Sequence, residues 1–157
     1  MNYNIRQAHK SELDDLNELN KEVQAIHHKI DREFFKTSRD SNIRAELEKM
    51  MEDEKCSVLV AVENKALLGF ITFRECSLPE SGLTNEIPML FIHHMVVKSI
   101  FNKQGIGTAM MKTVFKEARH KDIKRVQLDV WTMNLDAKSF FQKRGFQTVN
   151  EIMVHKY

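Results

Sequence analysis

The sequence predicts a single α/β domain built on a mixed sheet, and its length and two patterns support this. Six short apolar or alternating runs fit strands, at 3–8, 56–62, 66–73, 89–97, 126–131 and 146–155. The early strands are expected to pair antiparallel, whereas helical patterns separate the later ones and would cross the sheet. At 157 residues the chain suits one domain, expected over residues 1–157, with a substantial core.

Four helices are predicted because apolar residues recur at spacings of three and four. They are expected at 11–30, 41–54, 106–118 and 134–144. Ser11 is the expected N-cap of the first helix, and Gly145 the C-cap of the last. The polar segment 31–40 is expected to be a loop or a broken helix, in which Phe34 and Phe35 either pack against the core or line a binding cleft.

Two of the strands are expected to form a hairpin. The runs 56–62 and 66–73 flank the polar turn 63–65, which is short enough for an antiparallel connection. Gly69 inside the second run indicates a bulge or a close approach of another backbone. A loop punctuated by proline and glycine is expected at 76–88.

Charge and composition exclude several classes of protein. The net charge is +2 with acids and bases interspersed, which argues against a dedicated nucleic-acid binder. The polar N-terminus lacks an apolar signal core and no apolar run approaches ~20 residues, so we expect neither an exported protein nor a membrane protein. The two cysteines lack metal-ligand spacing, so no metal is expected, and they are too few for a disulfide framework, so a reducing, cytoplasmic setting is expected.

The stretch from Met95 to Ala118 predicts a strand, a turn with two glycines and an amphipathic helix. Gly105 and Gly107 lie where the helix begins, where unpaired backbone N–H groups and the helix dipole favour an anion such as phosphate. The alternative is a tight turn without a ligand. A P-loop is excluded because Gly-Lys-Ser/Thr is absent, and a dinucleotide fingerprint because Met110 replaces the third glycine.

Two motifs resemble those of a known superfamily. The turn Asn102-Lys103-Gln104-Gly105-Ile106-Gly107 resembles the pyrophosphate loop, Arg/Gln-x-x-Gly-x-Gly/Ala, of GNAT-type acyl-CoA-dependent N-acetyltransferases. The stretch Asn134-x-x-Ala137-x-x-Phe140-Phe141-x-x-x-Gly145-Phe146 is similar to the family's Asn-x-x-Ala-x-x-Phe-Tyr-x-x-x-Gly-Phe. The resemblance covers essentially the whole chain. It implies a mixed, mostly antiparallel central sheet with flanking helices, and strands that splay apart at an acetyl-CoA cleft.

The resemblance also implies a site for acetyl-CoA as acyl donor, between the strand that ends at Val97 and the strand 126–131. The backbone N–H of Val97 would stabilise the oxyanion that forms as an amine attacks. Lys143 would approach the phosphates, and Asn134 would bond the cofactor arm near its sulfur. The implied cofactor-binding residues are Met95, Val96, Val97, Asn102, Lys103, Gln104, Gly105, Ile106, Gly107, Thr108, Asn134, Ala137, Phe141 and Lys143.

His93 is the candidate general base, because an ammonium cannot attack a thioester and a neutral imidazole accepts a proton near pH 7. It shares strand parity with Val97, so both are expected to face the cleft. The pattern His93-x-Met95-x-Val97 is similar to that of arylalkylamine N-acetyltransferases, which carry a proposed catalytic histidine there. A buried histidine bonded to backbone is the alternative. His94 is expected to point the other way, beneath a helix.

Two residues depart from the family pattern. Asn102 stands where Arg or Gln is usual, which matters little if backbone groups hold the phosphates. Phe141 replaces the tyrosine that protonates the departing CoA thiolate, and phenylalanine has no proton to donate. A thiol pKa near 8.5 makes the thiolate a tolerable leaving group, so water or another group such as Tyr157 would supply the proton.

The implied activity is transfer of an acetyl group from acetyl-CoA to a primary amine of an unidentified small molecule or peptide, by direct attack in a ternary complex. By family analogy, the segments 27–39 and 76–87 flank the acceptor, and their acidic residues would attract a cationic amine. The alternative is a non-catalytic acyl-CoA-binding or regulatory module on the same fold, which Phe141 favours. The sequence does not determine the oligomeric state, for which a homodimer is one alternative.

Overall fold

The structure, a computed structural model, describes residues 2–157, in which five strands and four α-helices are present. The strands are β1 (Asn4–Gln7), β2 (Cys56–Glu63), β3 (Ala66–Leu78), β4 (Ile87–Val97) and β5 (Val126–Leu128). The helices are α1 (Leu13–Ile30), α2 (Arg44–Glu52), α3 (Ile106–His120) and α4 (Leu135–Gln142). Short 3-10 turns precede α1 and follow β4, at Lys10–Glu12 and Ser99–Phe101.

The strands form one sheet in the order β1-β2-β3-β4-β5. The first three pairings are antiparallel, and β4 and β5 are parallel. The long connection through α3 makes this parallel pairing possible. The predicted mixed, mostly antiparallel sheet with flanking helices is therefore confirmed.

Two apolar cores lie on opposite faces of the sheet. On one face, α3 packs through residues such as Met110 and Val114 against Leu90 and Ile92 of β4. On the other face, α1 and α2 pack against β2, β3 and Val96 of β4. On each face, apolar residues that recur every three or four positions in a helix therefore pack on apolar residues that recur every two positions in the strands.

The β2–β3 hairpin follows the expected pattern. Asn64 and Lys65 both adopt positive φ angles, of 48° and 68°, which is the geometry of a tight hairpin turn. The register shifts between Ala61 and Val62, opposite Gly69. A Cβ built on Gly69 would overlap the carbonyl oxygen of Val96 and lie 3.1 Å from the Cα of Val97. Both the predicted irregularity and the close backbone approach are thus confirmed.

Several predicted bounds are wrong. The hairpin of β3 and β4 extends into the expected loop 76–88, and Pro88 pairs with Ser77. Proline often marks a loop, but Pro88 lies outside the stretch of β4 that pairs with β5, and such an edge position tolerates it. Ser11 lies inside a 3-10 turn instead of capping α1, and the Glu12 carboxylate accepts the N–H of His9 at 2.8 Å.

The predicted strand 146–155 is also wrong, because no strand forms after α4 in the described residues. Its apolar residues Val149, Ile152 and Val154 are exposed. Alternation alone does not make a strand when no neighbouring strand supplies hydrogen bonds.

The close approach at Gly69 predicts a specific loss of stability. Gly69→Ala places a methyl group against the backbone of Val96, and overpacking of this kind costs about 1–3 kcal/mol in the free energy of unfolding. Gly82→Ala is the matched control, since its methyl group meets no atom within 4 Å. Urea unfolding followed by circular dichroism measures both variants. Equal stability of the two would contradict the close approach.

Candidate functional site

The parallel strands β4 and β5 separate after a short pairing. They pair only from Leu90 opposite Val126 to Ile92 opposite Leu128. Strand β4 then continues for His93–Val97, paired with β3 on one edge and with no strand on the other among residues 2–157. This confirms the expected splay, which leaves a row of backbone N–H and C=O groups available to a ligand.

A β-bulge lies where the strands separate. Thr72 of β3 pairs with His94, whereas Phe73 pairs with Ile92, so His93 is an extra residue in β4. The N–H of His94 donates to the hydroxyl oxygen of Thr72 at 3.1 Å instead of continuing the ladder. Such an inserted residue changes which face the following side chains occupy.

The bulge overturns the expectation that His93 and Val97 face the same way. Before it, Leu90 and Ile92 pack in the core on the α3 face, and after it Met95 and Val97 pack against that same core. The ring of His93 instead lies 5.0 Å from the ring of Phe91. Strand alternation places Phe91 on the opposite face from its neighbours Leu90 and Ile92.

Two charged side chains act on His93, which is exposed only in part. Burial of part of its ring lowers the pKa of His93, the positive charge of Arg74 lowers it further, and the negative charge of Asp129 raises it. The net result is a pKa below the usual value. The imidazole is therefore neutral near pH 7 and has a free lone pair for a proton.

His94 is packed on the α1 and α2 face, as expected. Its ring lies 6.5 Å from the ring of Phe70, which belongs to that core. Burial lowers the pKa of His94 to about 4. A permanently neutral imidazole at this place packs the core beside the bulge and takes no charge near pH 7.

The turn before α3 has the geometry of an anion site. Gly105 caps the helix with a φ of +87°, a conformation that favours glycine. The first helical hydrogen bond joins the N–H of Ala109 to the carbonyl of Gly105 at 3.0 Å. The N–H groups of Ile106, Gly107 and Thr108 therefore have no acceptor inside the helix. The side chain of Ile106 is buried, so only its backbone faces the turn.

Gly107 brings three elements together at this turn. A Cβ there would lie 3.0 Å from the Cε of Met95 and 3.1 Å from the Cζ of Phe140. The end of β4, the start of α3 and α4 thus meet where the two sequence motifs meet. Asn102, Lys103 and Gln104 form the exposed loop that leads to Gly105.

The second motif, from Asn134 to Phe146, contains the whole of α4. The side chain of Asn134 caps the helix by accepting the N–H of Ala137 at 3.3 Å. Phe141 lies edge-on to Phe140 and Phe146, with ring centroids 5.1 and 5.5 Å away. Lys143 follows the helix and is exposed.

The side chain of Val96 in β4 lies in the core on the face that α1 and α2 cover. Val96 therefore contributes only backbone to the cleft.

Sequence reasoning missed Arg144. Its guanidinium stacks on the ring of Phe140, 3.4 Å from the centroid, and donates to the carbonyl of Phe140 and the hydroxyl of Thr108. It thereby joins the end of α4 to the start of α3. Burial lowers the pKa of Arg144, and the guanidinium stays charged beside the turn. The signal in the sequence that could have pointed to Arg144 was its charge at a position between the motif residues Phe141 and Gly145.

An aromatic cluster lies on the other side of the sheet, and we call Phe34, Phe35, Trp131 and His27 the aromatic wall. The ring of Phe35 lies 4.8 Å from His27 and 4.9 Å from Trp131. Phe34 lies 5.0 Å from Phe35 and 5.2 Å from Trp131. Neither ring belongs to a core, so the expected packing of Phe34 and Phe35 against the core is not found. That they line a binding cleft stays a prediction. Trp131 was not foreseen.

A cavity of about 490 Å³ lies between the end of α1 and the start of α4. Ile26, Lys29 and Ile30 line one side, and residues 133–136 line the other. Within residues 2–157, no group of His, Cys, Asp and Glu side chains has the arrangement of a metal site. The helices of the described region lack the length and apolar character that a membrane crossing requires.

Parts of this chain are similar in sequence to known proteins. Human N-acetyltransferase 8 is 32% identical over 75 residues, which are 48% of this chain and 33% of that protein. The chain spans about a third of the length of the curated relatives it matches.

Two solved structures share the fold. A mutant of the BH1408 protein from Bacillus halodurans has a TM-score of 0.93 at 19% identity, covering 98% of this chain and 99% of that one. AAC(6')-Iy in complex with a bisubstrate analogue, CoA-S-monomethyl-acetylneamine, has a TM-score of 0.76 at 16% identity, covering 100% and 99%.

The family itself is established by a sequence comparison. The model of the acetyltransferase (GNAT) family matches residues 23–146, well over half of the chain. The matched range contains the splayed end of β4, the turn before α3 and both motifs. The chain therefore belongs to the GNAT acetyltransferase family.

Proposed function

We propose that this protein transfers an acetyl group from acetyl-CoA to a primary amine, by direct attack in a ternary complex. One observation carries the proposal: the open edge of β4 leads directly to a helix N-terminus whose first N–H groups lack acceptors. An extended pantetheine arm suits the strand edge, and a pyrophosphate suits the helix N-terminus.

The donor would lie on the α3 face of the splay. Backbone groups of Met95 and Val97 would bond the pantetheine arm, and backbone N–H groups from Lys103 to Thr108 would hold the pyrophosphate. Asn102 precedes this segment and Gln104 lies within it, and the exposed Lys143 would meet a further phosphate. Arg144 supports the same loop by bonding Thr108.

The reaction needs an oxyanion stabiliser and a base. As the amine nitrogen bonds the carbonyl carbon, the N–H of Val97 would donate to the oxygen that gains charge. The C–S bond then breaks, and CoA leaves as a thiolate while the nitrogen loses its proton. No cysteine is used as a relay, since Cys56 and Cys76 lie in the β2–β3 hairpin strands.

His93 is the proposed base, although it does not share a face with Val97. His93 lies beside Phe91 on the face opposite the donor loop, at the point where β4 and β5 separate. An amine that arrives from this face meets His93 before it meets the thioester. The lowered pKa of His93 keeps its imidazole neutral and able to accept the proton.

The leaving thiolate has no evident side-chain acid. Phe141 packs in an aromatic group with Phe140 and Phe146. Tyr157 is fully exposed, with its ring 4.9 Å from His155. We propose that solvent protonates the thiolate, whose conjugate thiol has a pKa near 8.5.

Phe141 also favours a second candidate, a non-catalytic acyl-CoA-binding or regulatory module. One measurement distinguishes the two candidate functions. Incubation with acetyl-CoA and a panel of amines, peptides and aminoglycosides is expected to release one CoA thiol per acetylated amine, measured with a thiol reagent and mass spectrometry. Saturable binding of acetyl-CoA without thiol release would favour the module instead.

The anion site predicts a loss of donor affinity when the turn is strained. Gly105→Val places a β-branched residue at a φ of +87° and reorients the N–H groups of the turn. We expect the Kd for acetyl-CoA, measured by calorimetry, to rise about tenfold or more.

The control for that experiment is Asn64→Val, which puts a comparable strain at φ 48° in the distant β2–β3 turn. It is expected to lower stability and leave the Kd unchanged. Equal affinities of the Gly105→Val variant and the natural protein would contradict the assignment of the turn.

The base assignment predicts the pH profile of kcat/KM. A base whose pKa is lowered is active above that pKa, so the acid limb is expected to lie below the usual histidine value of about 6.5. Arg74→Gln removes a charge that lowers the pKa of His93, so the limb moves to higher pH. Asp129→Asn removes a charge that raises it, so the limb moves to lower pH.

His93→Gln completes this test and is expected to lower kcat/KM by about 10²- to 10⁴-fold. It is also expected to remove the acid limb. A limb that persists unchanged in His93→Gln would show that another group titrates and would reject His93 as the base.

A further inference from the structure

We propose that Arg144 is a positioning residue for the acyl donor and that it acts through the side chain of Thr108. Its guanidinium holds the hydroxyl oxygen of Thr108, which leaves the hydroxyl proton free to donate to a phosphate at the turn before α3. Thr108 would then bind the donor with its side chain as well as with its backbone N–H. Because that turn is the proposed donor site, this role of Arg144 rests on the proposed function.

Three contacts fix the guanidinium of Arg144 between α3 and α4. Nη1 donates to the carbonyl of Phe140 at 2.5 Å, and Nη2 donates to the hydroxyl of Thr108. The guanidinium carbon lies 3.4 Å from the centroid of the Phe140 ring. The same ring reaches the first turn of α3, since a Cβ on Gly107 would lie 3.1 Å from its Cζ. The planar fork of arginine holds both acceptors at once, which suits it for positioning.

The hydroxyl of Thr108 has a proton that no acceptor in residues 2–157 takes up. A hydroxyl can accept two hydrogen bonds and donate one, whereas arginine only donates. The contact with Arg144 therefore uses an acceptor position of the oxygen and keeps the proton away from the guanidinium. The hydroxyl of Thr113, further along α3, differs because it donates to the carbonyl of Ala109 at 3.2 Å.

The position of Thr108 in the helix directs this proton toward the open turn. Thr108 is the third residue of α3, and the Cα–Cβ bonds of a helix tilt toward its N-terminus. Its backbone N–H also lacks an acceptor inside the helix. No side chain caps α3, because Gly105 stands at the N-cap. The N–H and the O–H of one residue are thus both available to an anion in the turn.

The charge of Arg144 lies where a bound anion would stabilise it. A cation near a helix N-terminus opposes the helix dipole, which favours negative charge there. Burial adds to this cost: it lowers the pKa of Arg144, and Nε is buried without a hydrogen-bond partner in the described chain. A pyrophosphate held in the turn would offset the repulsion between the guanidinium and the helix N-terminus.

Calorimetry with CoA tests this role without requiring catalysis. Arg144→Met removes both donated bonds and keeps an apolar chain over Phe140, and Thr108→Val removes the hydroxyl at nearly constant shape. Each change is expected to raise the Kd for CoA about three- to thirtyfold, as for the loss of one hydrogen bond. Arg119→Met removes the same charge from the exposed last turn of α3 and is expected to leave the Kd nearly unchanged.

The double variant shows whether Arg144 acts through Thr108. If the hydroxyl carries the effect, Arg144→Met combined with Thr108→Val raises the Kd for CoA no more than Thr108→Val alone. Arg144→Lys retains the charge without the fork, so its Kd is expected to stay close to that of Arg144→Met. A Kd restored by lysine, or fold-changes that multiply in the double variant, would overturn the positioning role.

A donor without phosphates separates positioning from a general structural role. S-acetylpantetheine has the thioester and the arm but no phosphate, so Arg144→Met is expected to leave its Kd, measured by competition with CoA, unchanged. Equal weakening of both ligands would show a structural role and overturn the proposal. Thr108→Val is expected to show the same selectivity for CoA, so the test holds even if Arg144→Met does not fold.

The outcomes distinguish this role from the proposed function. An unchanged Kd for CoA in Arg144→Met and Thr108→Val, with thiol release by both variants, would overturn the role of Arg144 and leave the acetyltransferase proposal standing. The expected changes in Kd, without thiol release by the natural protein from any amine, would support the role of Arg144 and overturn the proposed catalysis.

Discussion

The separation of β4 from β5 after Ile92 is the constraint on which the rest of the site depends. Strand β5 ends after three residues, so the last five residues of β4 keep one edge without a partner strand in the described chain. Unpaired backbone groups are costly unless water or a ligand satisfies them. The proposed acyl donor would occupy this opening, and the turn before α3 would continue the same path toward its phosphates.

In the proposed reaction, the bulge at His93 places the donor and the acceptor on different faces of the sheet. Because one residue is inserted, Met95 and Val97 face α3, whereas His93 faces the side of α1. The proposed donor and acceptor therefore approach from opposite faces and meet only in the opening. For this reason we propose His93 as the base although it does not face Val97.

The sequence predicted the parts of the fold that depend on local pattern. The mixed sheet and the close approach at Gly69 follow from residue types at fixed spacing, and the structure agrees with them. The prediction that His93 faces the same way as Val97 was wrong. A β-bulge depends on how two strands pair, so the sequence of one strand does not show it. Phe35 and Trp131 are far apart in sequence, so their contact was not foreseeable. Strand 146–155 failed because alternation does not provide a partner strand.

Hydrogen exchange on the intact protein, with and without CoA, tests the central claim that the open edge of β4 and the following turn hold the donor. The account predicts that CoA slows exchange of the backbone amides in 95–97 and 103–108. Amides of the β1–β2 pairing, at the far edge of the sheet, are expected to be unaffected. Unchanged exchange at 95–97 and 103–108 in saturating CoA, with binding confirmed by calorimetry, would contradict it.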